Sequence, residues 1–193
     1  MEYSLSGITA EIDVDKYILN YHTPDAFIEY CKQCNRYGAC WACPPFDFDV
    51  DVYLRNYKSV RIIGTKITLS DALINECAEL ERCKNVSYRI IGEVRRDLDN
   101  KLLALERRYP NSRAFFAGSC RFCKREKCMR ISKKPCLYPD KIRPSLESLG
   151  FDVAKTSLQL LKCELKWGSK ERLPEYFVLV SGFFMNNLTG RSS

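Results

Sequence analysis

Residues 93–123 read EVRRDLDNKLLALERRYPNSRAFFAGSCRFC, and three kinds of structure follow one another along them. Val94, Leu98, Leu102, Leu105 and Tyr109 recur at spacings of four and three. That is the period of one apolar helix face, so a helix is predicted from about Glu93 to Tyr109. Pro110 ends it, because proline has no N–H to continue the ladder. Arg113 to Gly118 then reads as a short apolar strand that delivers the chain directly into Cys120 and Cys123.

Working outward gives the same alternation. Val60 to Leu69 is rich in β-branched residues and predicts a strand. Ser70 is placed to cap a helix whose apolar face is Leu73, Cys77 and Leu80. Thr23-Pro24-Asp25 has the marks of a helix start, with an N-cap, a proline at the first position and an acid in the first turn. That helix would carry Phe27, Tyr30 and Cys31 on one face, while residues 1–22 read as an extended edge or loop. Pro144 to Leu149 predicts a short helix stopped by Gly150, Asp152 caps another through Leu161, and Glu175 to Phe184 is a last apolar strand. The expected fold is one α+β domain over residues 1–193. It has a small mixed sheet, packed helices and two cysteine-rich metal-binding loops, at about 31–45 and 120–136.

The chain has 193 residues, 46% of them hydrophobic and 28% charged, enough for one sizeable core. Met1-Glu2-Tyr3-Ser4 has no basic region followed by an apolar stretch, so no signal peptide is expected. No run reaches the ~18 apolar residues of a membrane helix. The expected compartment is therefore the cytoplasm, where thiols stay reduced. Eleven cysteines are then too many for a chance scatter, and eight of them fall into two groups.

The first group is Cys31-x₂-Cys34-x₅-Cys40-x₂-Cys43, followed by Pro44-Pro45. Two CxxC pairs bring four soft sulfurs within reach of one tetrahedral centre, and the loop between them reverses the chain. The second group is Cys120-x₂-Cys123-x₄-Cys128-x₇-Cys136, with Pro135 before the last thiol. All-sulfur sites suit zinc and iron–sulfur clusters alike. The compact first loop and its Cys-Pro step favour iron, as [4Fe–4S] clusters, one or two in number; zinc is the alternative. Trp41 and Tyr37 lie among the thiols and would shield a cluster from water. Whether the ligands divide by sequence group or cross between groups stays open at this level.

Between Ser119 and Arg143 nine basic residues face two acids, and the difference is the whole net charge of +7. These are Arg121, Lys124, Arg125, Lys127, Arg130, Lys133, Lys134, Lys141 and Arg143, against Glu126 and Asp140. Cations beside thiols favour the thiolate form and compensate the negative charge of a metal–thiolate centre. The same patch offers a landing site for an acidic redox partner and, as a weaker reading, for nucleic acid.

The motif Cys31-Lys32-Gln33-Cys34-Asn35-Arg36-Tyr37-Gly38-Ala39-Cys40-Trp41-Ala42-Cys43-Pro44-Pro45 resembles the signature of a bacterial and archaeal family of predicted metal-binding proteins, domain of unknown function 2284. Gly118-Ser119-Cys120-Arg121-Phe122-Cys123, Pro135-Cys136 and Arg143-Pro144-Ser145, with Glu147, Gly150, Asp152 and Val153, resemble its second motif. Leu137-Tyr138-Pro139 departs from it, since the family often has a basic residue there. The resemblance implies metal binding through these cysteines and no established reaction.

The leading expectation is electron transfer through one or two clusters held by Cys31, Cys34, Cys40, Cys43, Cys120, Cys123, Cys128 and Cys136. A zinc-stabilised module for protein or nucleic acid is the alternative, and an iron–sulfur enzyme with an open coordination position is the third reading. No catalytic constellation is recognised: His22 is the only histidine, and no GxGxxG or P-loop occurs. His22 is expected to be structural, as are Cys77, Cys83 and Cys163. Glu147 and Asp152 are read as structural rather than as an acid–base pair, Asp152 as a helix cap. Phe115, Phe116 and Phe122 are expected in the core and around the cluster rather than stacked on bases.

Overall fold

The computed structural model describes residues 2–76, 79–123, 128–169 and 172–186. Four strands form one antiparallel sheet in the order β1-β2-β4-β3, with β1 Tyr3–Asp13, β2 Ser59–Leu69, β3 Arg113–Phe115 and β4 Tyr176–Met185. β1 runs the full length of β2, from Tyr3 opposite Leu69 to Asp13 opposite Ser59. β4 lies on the other side of β2 and carries the short β3 on its far edge, Phe115 opposite Gly182. The expected α+β class is what the chain adopts. Its sheet is antiparallel throughout, and the parallel component is one isolated bridge, Phe116 to Ser145.

Period-two alternation buries both faces of this sheet. Val60 and Ile62 of β2, Val180 and Phe184 of β4 and Phe115 of β3 point into one core. Ile67, Leu69, Leu179, Phe183 and Ala114 point to the other side. The first core is closed by α1 Val14–Tyr21, α3 Val50–Leu54 and α6 Val153–Leu160. Its centre is aromatic: Tyr17 stacks on Phe151 at 4.5 Å, and Phe115 meets Phe184 edge-on at 4.8 Å. The second side is covered by α4 Asp71–Glu76 and α5 Leu80–Arg108, with Leu73, Ile90, Val94 and Leu102 inward. Among the described residues no helix is long and apolar enough to cross a membrane.

Two expectations need correction. Residues 1–22 are not a single extended segment, because α1 follows β1 directly. Asp13 caps it by accepting from the Lys16 N–H, and Val14, Tyr17, Ile18 and Tyr21 are its buried face. The helix expected from Glu93 is the second half of the 29-residue α5. Leu80 therefore starts α5, 40% exposed, rather than ending the helix capped by Ser70. Ser70 does cap α4 through the Leu73 N–H. Cys77 lies outside the described residues; Cys83 is buried and disulfide-bonded, not the free packed thiol expected.

Two more elements are shorter than expected, since the strand from Arg113 ends at Phe115 and Pro144 to Leu149 forms only a 3₁₀ turn at Glu147–Leu149. His22 lies between the Leu149 carbonyl (2.7 Å) and the Asp51 carboxylate (3.1 Å), with its ring against Phe151. Asp152 caps α6 through the Lys155 N–H, and Cys163 is a buried free thiol. α2 Pro24–Lys32 starts at Thr23 as expected but buries no residue, and Tyr30 is 69% exposed.

One ion pair ties the second helical layer to the metal-loop region. Arg143 donates through Nε to Glu106 Oε1 at 2.7 Å and through Nη2 to Oε2. Glu106 Oε1 also accepts from the Ala114 N–H at 2.6 Å. Both side chains are nearly closed to solvent, 5% and 11% exposed. Removing one partner leaves a buried charge uncompensated, which costs about 3–5 kcal/mol. Glu106→Ala is expected to lose that much in a urea titration. Glu11→Ala, which breaks the exposed pair to Arg61 on the β1–β2 ribbon, should cost under about 1 kcal/mol.

Candidate metal centre

The two cysteine groups, about 80 residues apart in the chain, are neighbours in the fold. Cys31 sits near the end of α2, and Cys34, Cys40 and Cys43 lie on the tight turns that follow. The Cys34 N–H bonds the Cys31 carbonyl, the Cys43 N–H bonds the Cys40 carbonyl, and Gly38 at φ +66° reverses the loop so that its N–H reaches the Pro44 carbonyl. Cys120 and Cys123 follow β3 within a few residues; Cys128 precedes a 3₁₀ turn at Met129–Ser132, and Cys136 comes after it. The Cys136 Sγ accepts the Tyr138 N–H at 3.4 Å.

Arginines hold these loops against each other. Arg36 of the first loop donates to the Cys120 carbonyl at 3.0 Å. Arg130 of the second donates to the carbonyls of Cys40 (2.9 Å), Cys43 (2.5 Å) and Pro45. The Arg130 guanidinium also lies 5.1 Å from the Trp41 ring centre, and the indole N–H of Trp41 reaches back to the Lys134 carbonyl at 3.0 Å. Underneath, Arg95 on α5 donates to the Gly118 and Ser119 carbonyls, and Arg121 donates to the Gly92 carbonyl at 2.7 Å. A Cβ on residue 92 would stand 2.8 Å from the Arg121 guanidinium, so the glycine leaves room for that bond.

This clasp divides the thiols across the sequence groups. Cys40 joins Cys120, Cys123, Cys128 and Cys136 around one crevice, with Phe122, Tyr138 and Ile142 as its apolar wall. Cys31, Cys34 and Cys43 line a second space of about 250 Å³ with Tyr37, Ser119 and Glu147. Arg36 borders both. Phe122 packs beside Tyr138 at 5.7 Å, and Phe115 and Phe116 are buried in the sheet cores, as expected of them.

The thiols are electrostatically linked. Cys40 is held well below the usual thiol range, because the Cys120 and Cys43 side chains and the Ala42 N–H donate to its sulfur. The hydrogen bond to Cys40, reinforced by burial, pushes Cys43 and Cys120 up in turn. Burial raises Cys31 and Cys123, helped by their neighbouring thiols. An all-thiol donor set of this kind fits zinc or an iron–sulfur cluster. Among the described residues no three potential ligands stand ready-made around one ion; the sulfurs nearest one another share hydrogen bonds instead.

A family model described as "Predicted metal-binding protein (DUF2284)" matches residues 16–181, which include all eight of these cysteines. The chain belongs to this family. No curated protein and no solved structure matches it. The DUF2284 match runs from α1 into β4, so it takes in β2, β3 and both loops, with β1 before its start.

The sequence reading named Arg121 and Arg130 only as compensating charge and Glu147 as structural, and it did not foresee Arg36 or the carbonyl bonds that support the loops. Arg36 and Arg130 stand among the cysteines, and that placement is their only trace in the sequence. Glu147 Oε2 is buried with no hydrogen-bond partner among the described residues. Burial pushes its carboxyl up, against bonds from its own backbone and from Ser145.

If the guanidinium of Arg130 orients the loop carrying Cys40 and Cys43, Arg130→Ala should weaken metal retention about 10- to 100-fold, read as faster loss to a chelator. A second test concerns Asp99, which faces Arg95 at 3.7 Å beneath the loops. Burial outweighs that pairing, raising Asp99 from 3.8 to about 6 and lowering Arg95. A raised acid costs nothing while both states hold the proton and costs most once both have lost it. Native stability should therefore fall relative to Asp99→Asn between about pH 4 and pH 6. The difference should approach about 3 kcal/mol at neutral pH, read from denaturation midpoints of the two proteins.

Proposed function

We propose that this protein is an electron-transfer protein carrying two [4Fe–4S] clusters. One would be held by four of the five thiols Cys40, Cys120, Cys123, Cys128 and Cys136. The other would be held through Cys31, Cys34 and Cys43. The observation that carries the reading is the pair of adjoining thiol-lined spaces with Arg36 between them. Two clusters side by side would let an electron pass from one to the other.

When bound, the clusters would supply reversible one-electron chemistry. The chain's own residues would set its terms. Phe122, Tyr138 and Ile142 exclude water on one side of the five-thiol crevice. Arg36 and Arg130 fix the carbonyls that flank the thiols and place positive charge beside them. Neighbouring cations favour the thiolate form needed for ligation, against the burial that opposes it.

The basic segment after Cys120 takes on two jobs in this reading. Arg130 and Arg143 are turned inward onto carbonyls and Glu106, and Arg121, exposed, spends one N–H on the Gly92 carbonyl. Lys133, Lys134 and Lys141 are exposed next to the crevice and would receive an acidic redox partner. Lys124, Arg125 and Lys127 lie outside the described residues. The two inward arginines are lost to any nucleic-acid surface, which weakens the binding-module reading.

Protein purified without oxygen is expected to contain about eight iron and eight sulfide per chain, with a broad visible absorption that bleaches on reduction. Cys128→Ala with Cys136→Ala, or Cys31→Ala with Cys34→Ala, should each bring the count to about half. About two zinc, no sulfide and a colourless sample would replace this reading with closed structural sites.

A further inference from the structure

A cavity of about 380 Å³ opens beside the three-thiol space, a volume in the range of small-molecule sites. Cys31, Tyr37, Pro44, Glu147 and Ser148 line both, so the two share a wall. The rest of the cavity is largely apolar: Phe27 and Ile28 come from α2, Phe46 and Phe48 from the segment after the prolines. The rings of Phe46 and Phe48 stack at 5.0 Å. α2 buries none of its residues, so its apolar side faces this space instead of a core.

The space is built rather than left over. Gly150 turns at φ +95°, and a Cβ there would stand 2.8 Å from Pro24 Cα, so only glycine lets the start of α2 close on the turn that carries Glu147. The Thr23 N–H fixes that approach by bonding the Gly150 carbonyl at 2.9 Å, and His22 holds the neighbouring Leu149 carbonyl.

Burial holds the Glu147 carboxyl toward its neutral form, and a cation beside it would restore the charge. Two carboxyl side chains, Asp25 and Glu147, line the cavity, and no lysine or arginine does. Glu147 Oε2 is buried and lacks a hydrogen-bond partner among the described residues, so a donor reaching it would satisfy it. Aromatic faces attract cations as well as apolar bodies.

We propose that this cavity binds a small organic cation, an apolar and preferably aromatic body bearing an ammonium group, with the ammonium on Glu147 and the body among Phe27, Phe46 and Phe48. An anion there would meet two carboxyls and no positive partner. The site does not depend on which metal the adjoining thiols hold.

The test uses the full-length protein as purified, with its metal content measured on the same samples. Binding of benzylammonium, benzyl alcohol and benzoate is followed by calorimetry and ligand-detected NMR at pH 7.5. Benzylammonium should bind at least tenfold more tightly than benzyl alcohol, and benzoate should not bind. Glu147→Gln should weaken benzylammonium at least tenfold, and Phe48→Ala, a half-exposed ring on the rim, several-fold, the latter with metal content unchanged. Absence of benzylammonium binding, equal binding of benzoate, or full affinity in a folded Glu147→Gln protein overturns the proposal. If Glu147→Gln does not fold, undiminished binding in Phe48→Ala overturns it equally. Samples without iron that still bind benzylammonium would refute the cluster reading alone; clustered samples that do not bind it would refute this one alone.

Discussion

The carbonyl-to-guanidinium bonds between the two cysteine loops are the contact on which the centre depends. Neither loop has a ladder of its own to hold it. The first is a chain of tight turns, and the second has one 3₁₀ turn among its described residues. Arg36 and Arg130 reach across in opposite directions, each satisfying backbone acceptors that flank a thiol. Buried carbonyls without partners are costly, so the planar fork of an arginine, which serves several at once, is suited to the task. Arg95 and Arg121 extend the same device down to α5, which itself rests on the sheet.

Desolvation sets the character of the surroundings. Around the loops, burial wins over pairing at Asp99 and Arg95, and both are driven toward their neutral forms. At Glu106 and Arg143 the geometry is closer, and the two charges face each other through paired bonds. The positive excess of the second loop is thus only in part a surface property, since two of its arginines are consumed by internal carbonyl and carboxylate partners.

Much of the scaffold was legible because local rules carry it. The β-branched run of β2, the apolar run of β4, the Ser70 and Asp152 caps, the Thr23-Pro24 start and the Gly150 stop are all read from neighbouring residues. α1 escaped because it follows an extended strand without a break and its only start signal is Asp13. α5 was read as shorter than it is because Glu93 to Tyr109 has a cleaner apolar stripe than the half before it. The eight cysteines were legible as ligand candidates from spacing, but their division was not. Cys40 crosses to the second group through a contact spanning 80 residues, and no local pattern encodes that. Glu147 was read as structural for the same reason, since its burial comes from segments remote in sequence.

The strand order has a consequence for the order of events as the chain is made. β4 lies between β2 and β3, yet it follows both in the sequence. β3 pairs with β4 alone, and the loop carrying Cys120 to Cys136 hangs from the end of β3. Until residues 176–185 have emerged and inserted, the later thiols have no fixed place opposite Cys40. Assembly of the five-thiol crevice is therefore a late event, one that reports on completion of the sheet rather than templating it.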